Sequence, residues 1–151
     1  MHLDKYHFRY LNQTAHYEFT SIGPKGKIKK IVLFSALVDW GSNTYNLGFG
    51  DWIEAELDVS DIVISDNDDR DKVLATVAAI TLHFINLHPD AILVIKGSTA
   101  SRTRLYQMAI NKYFDELSIY FHFSGLCKNT WKEFEKMENY DAIVAISKDN
   151  Q

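Results

Sequence analysis

Over the first third of the chain, apolar positions recur at the short spacing of strands, whose side chains point to alternate faces. Residues 5–12 predict a short first strand, and residues 16–22 an alternating second one. Gly23-Pro24-Lys25-Gly26 reads as a turn, because proline presets φ and glycine supplies a positive φ. Residues 27–38 predict the return strand of a hairpin. There Ile28, Ile31, Leu33 and Phe34 sit among lysines, and Ala36-Leu37-Val38 makes a fully apolar end. Lys25, Lys27, Lys29 and Lys30 cluster near the hairpin tip. Gly41-Ser42-Asn43 marks a second turn, residues 44–50 the next strand, closed by Asp51-Trp52, and residues 54–65 a linking loop with a short strand. Gly48 and Gly50 within one strand point to a bulge or a close approach by another group.

The period changes after residue 66. Val73, Val77, Ile80 and Phe84 follow at spacings of four, three and four, so residues 66–88 predict a helix that Pro89 ends. Asp66, Asn67, Asp68 and Asp69 offer capping side chains and negative charge at its positive end, a simpler role than a metal site. Residues 91–95 are continuously apolar, as in a buried central strand. A second helix is predicted from about residue 100 to 115, with Leu105, Met108, Ala109 and Tyr113 turned inward. Residues 117–123 alternate as a half-buried strand. Trp131, Phe134 and Met137 fall at helical spacing, and residues 141–147 predict the last strand. The expected fold class is α+β: N-terminal antiparallel strands, then helix-strand-helix-strand-strand, with two main helices packed on one mixed sheet. Residues 91–95 and 117–123 would flank a crossover. With no repeat and no linker, residues 1–151 read as one domain.

Composition changes this picture in a few places. Aromatic residues make up 13% of the chain, with eight Tyr and nine Phe, which predicts a sheet face packed with rings. A net charge of −4 argues against broad nonspecific binding to duplex nucleic acid, though not against a local basic patch. Cys127 is the single cysteine, so no intrachain disulfide and no thiolate zinc site is expected. The six histidines form no H-x-x-x-H or H-E-x-x-H pattern, and no metal or cofactor is expected. The start Met1-His2-Leu3-Asp4-Lys5 carries no signal-peptide pattern, and no apolar run approaches the ~20 residues of a membrane span. The expectation is a cytoplasmic protein without a membrane partner.

Chemistry concentrates at Lys96-Gly97-Ser98-Thr99-Ala100-Ser101-Arg102-Thr103-Arg104, where an apolar strand gives way to a helix. Gly97 permits an unusual backbone angle or a close contact, and Ser98, Thr99 and Ser101 are good caps. A helix start presents unpaired N–H groups and partial positive charge, a geometry that binds phosphate or carboxylate. Arg102 and Arg104 add forked donors. Two residues apart on a helix, they point about 200° from each other, so one of them can readily face the corner. Arginine in a first turn opposes the macrodipole, and an anion would resolve the conflict. The competing resolution is an internal ion pair with an acid such as Asp51, Glu54 or Glu56. Tyr106 is a candidate to stack on a base or sugar, with core packing as its alternative role. Asn46, Gly48, Gly50 and Asp51 are candidates to line a pocket, and His16 and Tyr17 to supply acid–base groups. Cys127 has no sequence cue for activation.

Residues 16–26, 46–51 and 72–78 together with the Gly97-Ser98-Thr99-x-x-Arg102-Thr103-Arg104-Leu105-Tyr106 motif resemble a family of small uncharacterised bacterial proteins, a domain of unknown function. The resemblance covers nearly the whole chain and implies a cytoplasmic single-domain bacterial protein. It brings no activity with it. Gly97-Ser98 after a strand is also similar to the opening of the nucleotidyltransferase fold. That fold needs an Asp-x-Asp pair downstream to hold metal, and Asp115-Glu116 lies at a helix end instead.

The leading expectation is a binding domain for a phosphate-bearing ligand, a nucleotide or a nucleic-acid end. Gly97, Ser98, Thr99, Arg102, Arg104 and Tyr106 would be its contact residues. The alternatives are a single-stranded nucleic-acid binder, using the aromatic sheet face and basic hairpin tip, and a protein-interaction module that offers the hairpin or an edge strand. The sequence holds no complete nucleophile–base or metal constellation.

Overall fold

The computed structural model describes residues 4–11, 15–53, 58–60 and 66–148. The strands are β1 (Arg9–Leu11), β2 (His16–Gly23), β3 (Gly26–Ala36), β4 (Thr44–Ile53), β5 (Asp58–Ser60), β6 (Ile92–Ile95), β7 (Phe121–Cys127), β8 (Thr130–Glu133) and β9 (Ala142–Ser147). The helices are α1 (Arg70–Leu87), α2 (Ala100–Lys112) and α3 (Phe114–Leu117), and a 3-10 turn spans Val38–Trp40. The strands form one mixed sheet in the order β1-β2-β3-β4-β6-β9-β7-β8, with β5 beside β4. The fold is therefore α+β, as expected. Residues 54–57 and 61–65, most of the predicted linking loop, lie outside the described residues.

The chain groups into two compact units, residues 1–34 with 48–84 and residues 35–47 with 85–151. In the first unit, β2 runs antiparallel to both β1 and β3. Its burial alternates as the period-two pattern requires, with Tyr17, Phe19 and Ser21 turned inward. The Phe34 ring stacks on Phe84 of α1 with centroids 4.0 Å apart, and Tyr17 packs edge-on against Phe34. The sequence-predicted aromatic face is thus the surface that α1 covers.

The segment before α1 bonds to the β2–β3 hairpin and to Tyr6. Asn67 donates to the Gly26 carbonyl at 2.9 Å and accepts from the Lys25 amide at 2.7 Å, so its side chain closes the hairpin tip. Asp69 accepts from the hydroxyls of Ser21 and Tyr6 at 2.5 and 2.6 Å. Gly23 must be small here, since a Cβ on it would lie 2.0 Å from the Asn67 carbonyl oxygen. The helix itself begins at Arg70, four residues later than the sequence predicted. Among the described residues no cluster of His, Cys, Asp or Glu could hold a metal ion.

The four-lysine hairpin tip needs correction at one position. Lys30 lies opposite Phe19 in the β2–β3 register, which places it on the aromatic face that α1 covers. It is 1% exposed and donates to Asp51 of β4, itself 3% exposed. Burying two charges costs several kcal/mol per ion unless each meets the other in good geometry. Lys29 stays outside, shared between Glu18 at 3.5 Å and the face of Trp52. Arg9 completes that surface group, 3.1 Å from Glu18.

In the second unit, β4 and β6 are parallel, as the βαβ connection through α1 requires. Strand β9 inserts between β6 and β7, antiparallel to both. The crossover predicted between residues 91–95 and 117–123 therefore exists, but it skips one strand. The predicted strand also shifts. Leu117 belongs to α3, Ile119 is 68% exposed, and the strand starts at Phe121. The amphipathic helical segment predicted around Trp131, Phe134 and Met137 is instead β8 and a loop, with Met137 92% exposed. Lys128 and Asn129 make the turn into β8, both at positive φ (50° and 67°), as a two-residue hairpin demands. Of the three residues, Phe134 alone enters the core, stacked on Phe114 and beside Phe123 and Tyr140.

The buried pair generates a prediction. Lys30→Met or Asp51→Leu alone breaks the buried ion pair and should cost about 3–5 kcal/mol, while the double variant recovers most of that loss. Urea unfolding of the three variants measures it.

Candidate functional site

The corner lies in the second unit and is built from the end of β6. Leu93, Val94 and Ile95 are buried, and Asn46 of β4 pairs with Val94. Lys96 reaches solvent, and the chain turns through Gly97, Ser98 and Thr99 into α2. Thr99 is the N-cap. It is extended (φ −133°, ψ 163°), and its hydroxyl accepts from the Arg102 amide at 3.2 Å. Thr103 locks the corner from the other side, donating to the Thr99 carbonyl at 3.2 Å and accepting from the Gly97 amide at 3.0 Å.

Gly97 has a packing role. A Cβ there would lie 2.3 Å from the Arg102 Cβ and 2.8 Å from the Thr103 amide nitrogen. The close approach anticipated from the sequence is made by the first turn of α2 itself. This contact also fixes which way the helix faces. Arg102 is 6% exposed, while Arg104 points to solvent. The divergence of the two arginines follows the helical geometry, and the structure selects Arg102 as the inward one. Its guanidinium donates to the Tyr106 hydroxyl at 3.3 Å and lies 5.6 Å from the Tyr106 ring centre, a cation–π contact. Tyr106 is therefore half-buried against the arginine.

The rest of the inward face was not legible in the sequence. The buried residues of α2 are Arg102, Thr103, Gln107 and Ile110. Gln107 accepts from the Tyr140 amide at 3.1 Å, which satisfies a buried polar group. Leu105 and Met108, expected inside, are 41% and 53% exposed. Asp51, one acid considered as an arginine partner, holds Lys30 in the first unit. Glu54 and Glu56 lie outside the described residues.

At the corner the positive end of a thirteen-residue helix, with no acid in its first turn, stands next to the buried Arg102 side chain and the exposed Ser98 and Thr99. The corner offers no nucleophile–base pair.

His16 and Tyr17 lie in the first unit. Tyr17 is fully buried, its hydroxyl 2.7 Å from Nδ1 of His83 and its ring 4.7 Å from that of Tyr10. Burial first, and then the Tyr10 phenol, hold the Tyr17 hydroxyl protonated far above the ordinary tyrosine range. A group this enclosed serves packing. Cys127 is half-buried and free, at the end of β7. A shallow polar cleft of about 230 Å³ opens in the second unit between Asn43, Tyr45 and the His88-Pro89-Asp90 turn. The sequence carried no signal for it beyond the helix-ending proline.

These features define a mixed-sheet α+β protein with an arginine buried at a helix start. The chain belongs to a family of unknown function (DUF6934), which it matches over residues 2–148. No curated protein and no solved structure matches it. No helix among the described residues is long and apolar enough to cross a membrane.

Two outcomes are expected. Gly97→Ala should destabilise the protein by roughly 1–3 kcal/mol, because backbone and Cβ atoms must move to admit the methyl; thermal unfolding measures this. The Tyr17 prediction concerns pH. The unfolded chain releases this phenol's proton near pH 10, and the folded chain keeps it. Wild-type stability should therefore fall as pH rises past about 10, and Tyr17→Phe should lose that part of the slope. Urea titrations from pH 8 to 11 compare the two.

Proposed function

We propose that the protein is a cytoplasmic bacterial protein that binds a phosphate-bearing ligand, a nucleotide or a nucleic-acid end, at the Gly97–Arg104 corner. One observation carries this reading: Arg102, 6% exposed, sits in the first turn of α2, where the helix dipole is already positive and the turn's own sequence holds no Asp or Glu. A structural helix start gains from Asp or Glu in this turn, typically by 0.3–1 kcal/mol. An oxyanion at the exposed hydroxyls of Ser98 and Thr99 would meet the amides of the first turn, with Arg102 as the cation behind them. Gly97 then serves by bringing Arg102 close, and Arg104 stands away from the contact.

The single-stranded nucleic-acid reading has less to support it. Stacking needs exposed rings, whereas Tyr17 and Phe19 of the sheet face are buried. Of the hairpin lysines, Lys30 is buried with Asp51.

Calorimetric titration with pyrophosphate and ADP tests the proposal. Arg102→Lys keeps the charge but loses the fork and should weaken binding about tenfold. Ser98→Asp places a negative charge at the exposed corner. It should also weaken binding about tenfold while leaving the thermal midpoint unchanged or slightly raised, since an acid favours a helix N-terminus. Equal affinity in wild type and Ser98→Asp, or no binding by wild type at about 1 mM ligand, rejects the corner as a phosphate site.

A further inference from the structure

The chain has three tryptophans. Trp52 carries the Lys29 ammonium over its ring. Trp40, from the 3-10 turn, and Trp131, from β8, meet at the surface of the second unit. Their ring centres are 6.3 Å apart and their planes 73° from each other, yet the two residues stay 48% and 44% exposed. Folded chains mostly bury such rings, so an exposed pair in contact marks a surface with a use. The sheet register accounts for the exposure. Gly125 of β7 faces the Tyr140 ring, which a Cβ there would meet at 2.2 Å. Lys132 stands opposite Gly125 and shares that side, bonded to Glu138 and 5.9 Å from the Tyr140 ring centre. Leu126 and its partner Trp131 therefore face the other side of the sheet, and Glu133 follows Trp131 there two residues on. Asp39 precedes Trp40, and both Asp39 and Glu133 are exposed. Among the described residues neither carboxylate has a cationic partner, and neither indole has a cation over its ring. Lys128, the remaining cation of this hairpin, stands in the turn beyond Thr130, on the side of Trp131 away from Glu133.

We propose that the Trp40–Trp131 corner binds a compact alkylated ammonium group, free or carried on a methylated lysine. Ring planes at 73° make two walls, which a rounded group touches at once. A nucleobase is flat and stacks on a single plane. Aromatic faces carry negative partial charge, indole most effectively, and quaternary ammonium groups are held against such faces. Methyl groups suit the ligand to these walls, because they bury readily where a bare ammonium would lose its water. Asp39 and Glu133 give the neighbourhood the charge that a cation needs. The corner uses neither Ser98 nor Arg102 and takes a ligand of opposite sign, so this proposal and the phosphate-site reading stand or fall separately.

Nitrogen–proton correlation spectra of the full chain, with the indole signals assigned through Trp40→Phe and Trp131→Phe, read the site directly. Choline should shift the Trp40 and Trp131 signals and leave Trp52 in place, with half-saturation at about 1 mM. Dimethylbutanol, its neutral isostere with carbon in place of nitrogen, should bind about tenfold more weakly. Trp131→Ala should remove the response of Trp40. The Asp39→Asn/Glu133→Gln double variant should weaken choline binding about fivefold with an unchanged thermal midpoint, since both carboxylates are exposed, and raised salt should weaken it too. A glycine-flanked trimethyllysine peptide separates the two sources. Tighter binding than choline assigns the group to a protein side chain, and equal or weaker binding assigns it to a free ligand. Any of five results overturns the proposal: no shift of either signal at about 50 mM choline, an equal response to dimethylbutanol, binding indifferent to the two carboxylate changes, shifts produced by cellobiose or AMP in place of choline, or signals that move when the chain alone is diluted, which would mark the pair as a contact between copies.

Discussion

The contact between Gly97 and the first turn of α2 sets the orientation of everything that follows it in the helix. With no Cβ on Gly97, the Arg102 Cβ settles against the backbone at the end of β6. Once residue 102 is inward, helical geometry leaves no freedom: Gln107 and Ile110 turn in, and Arg104, Leu105 and Met108 turn out. Thr99 and Thr103 secure the same rotation by hydrogen bonds on either side of the turn. One missing methyl group thus accounts both for a buried cation at the helix start and for an apolar stripe in water.

How much of this the sequence conveys depends on how local each signal is. The β2–β3 turn, the helix ended by Pro89 and the buried β6 strand rest on neighbouring residues, and they stand as expected within a few positions. The cap at Thr99 was local too. The inward face of α2 was not. Periodicity places Leu105 and Met108 inside because apolar side chains favour burial, whereas the packing at Gly97 imposes a different rotation. Trp131, Phe134 and Met137 fall at helical spacing by coincidence. The turn that makes them a strand uses Lys128 and Asn129 at positive φ, and lysine is not a residue that announces a turn. Lys30 misleads for another reason: a lysine in a basic run reads as solvent-facing until its partner, twenty-one residues away, is known.

The candidate site divides in the same manner. The corner's existence, its cap and the divergence of Arg102 from Arg104 follow from local chemistry and the pitch of a helix. Which arginine is inside, and that Gly97 serves the helix, required coordinates. Tyr17 shows the reverse case, a residue with acid–base character whose burial beside His83 and Tyr10 removes it from any surface chemistry.

The side chain of Asn67 bears on how the molecule assembles. The β2–β3 hairpin draws on near neighbours and needs little loop closure to form. Its tip is completed only by the bonds from Asn67 to Lys25 and Gly26, across 42 and 41 residues of chain. Closing so long a segment carries an entropic cost that a hairpin does not meet on its own. Contacts of that reach slow folding. The tip is therefore among the later parts of the first unit to become rigid, and its setting coincides with the arrival of the start of α1.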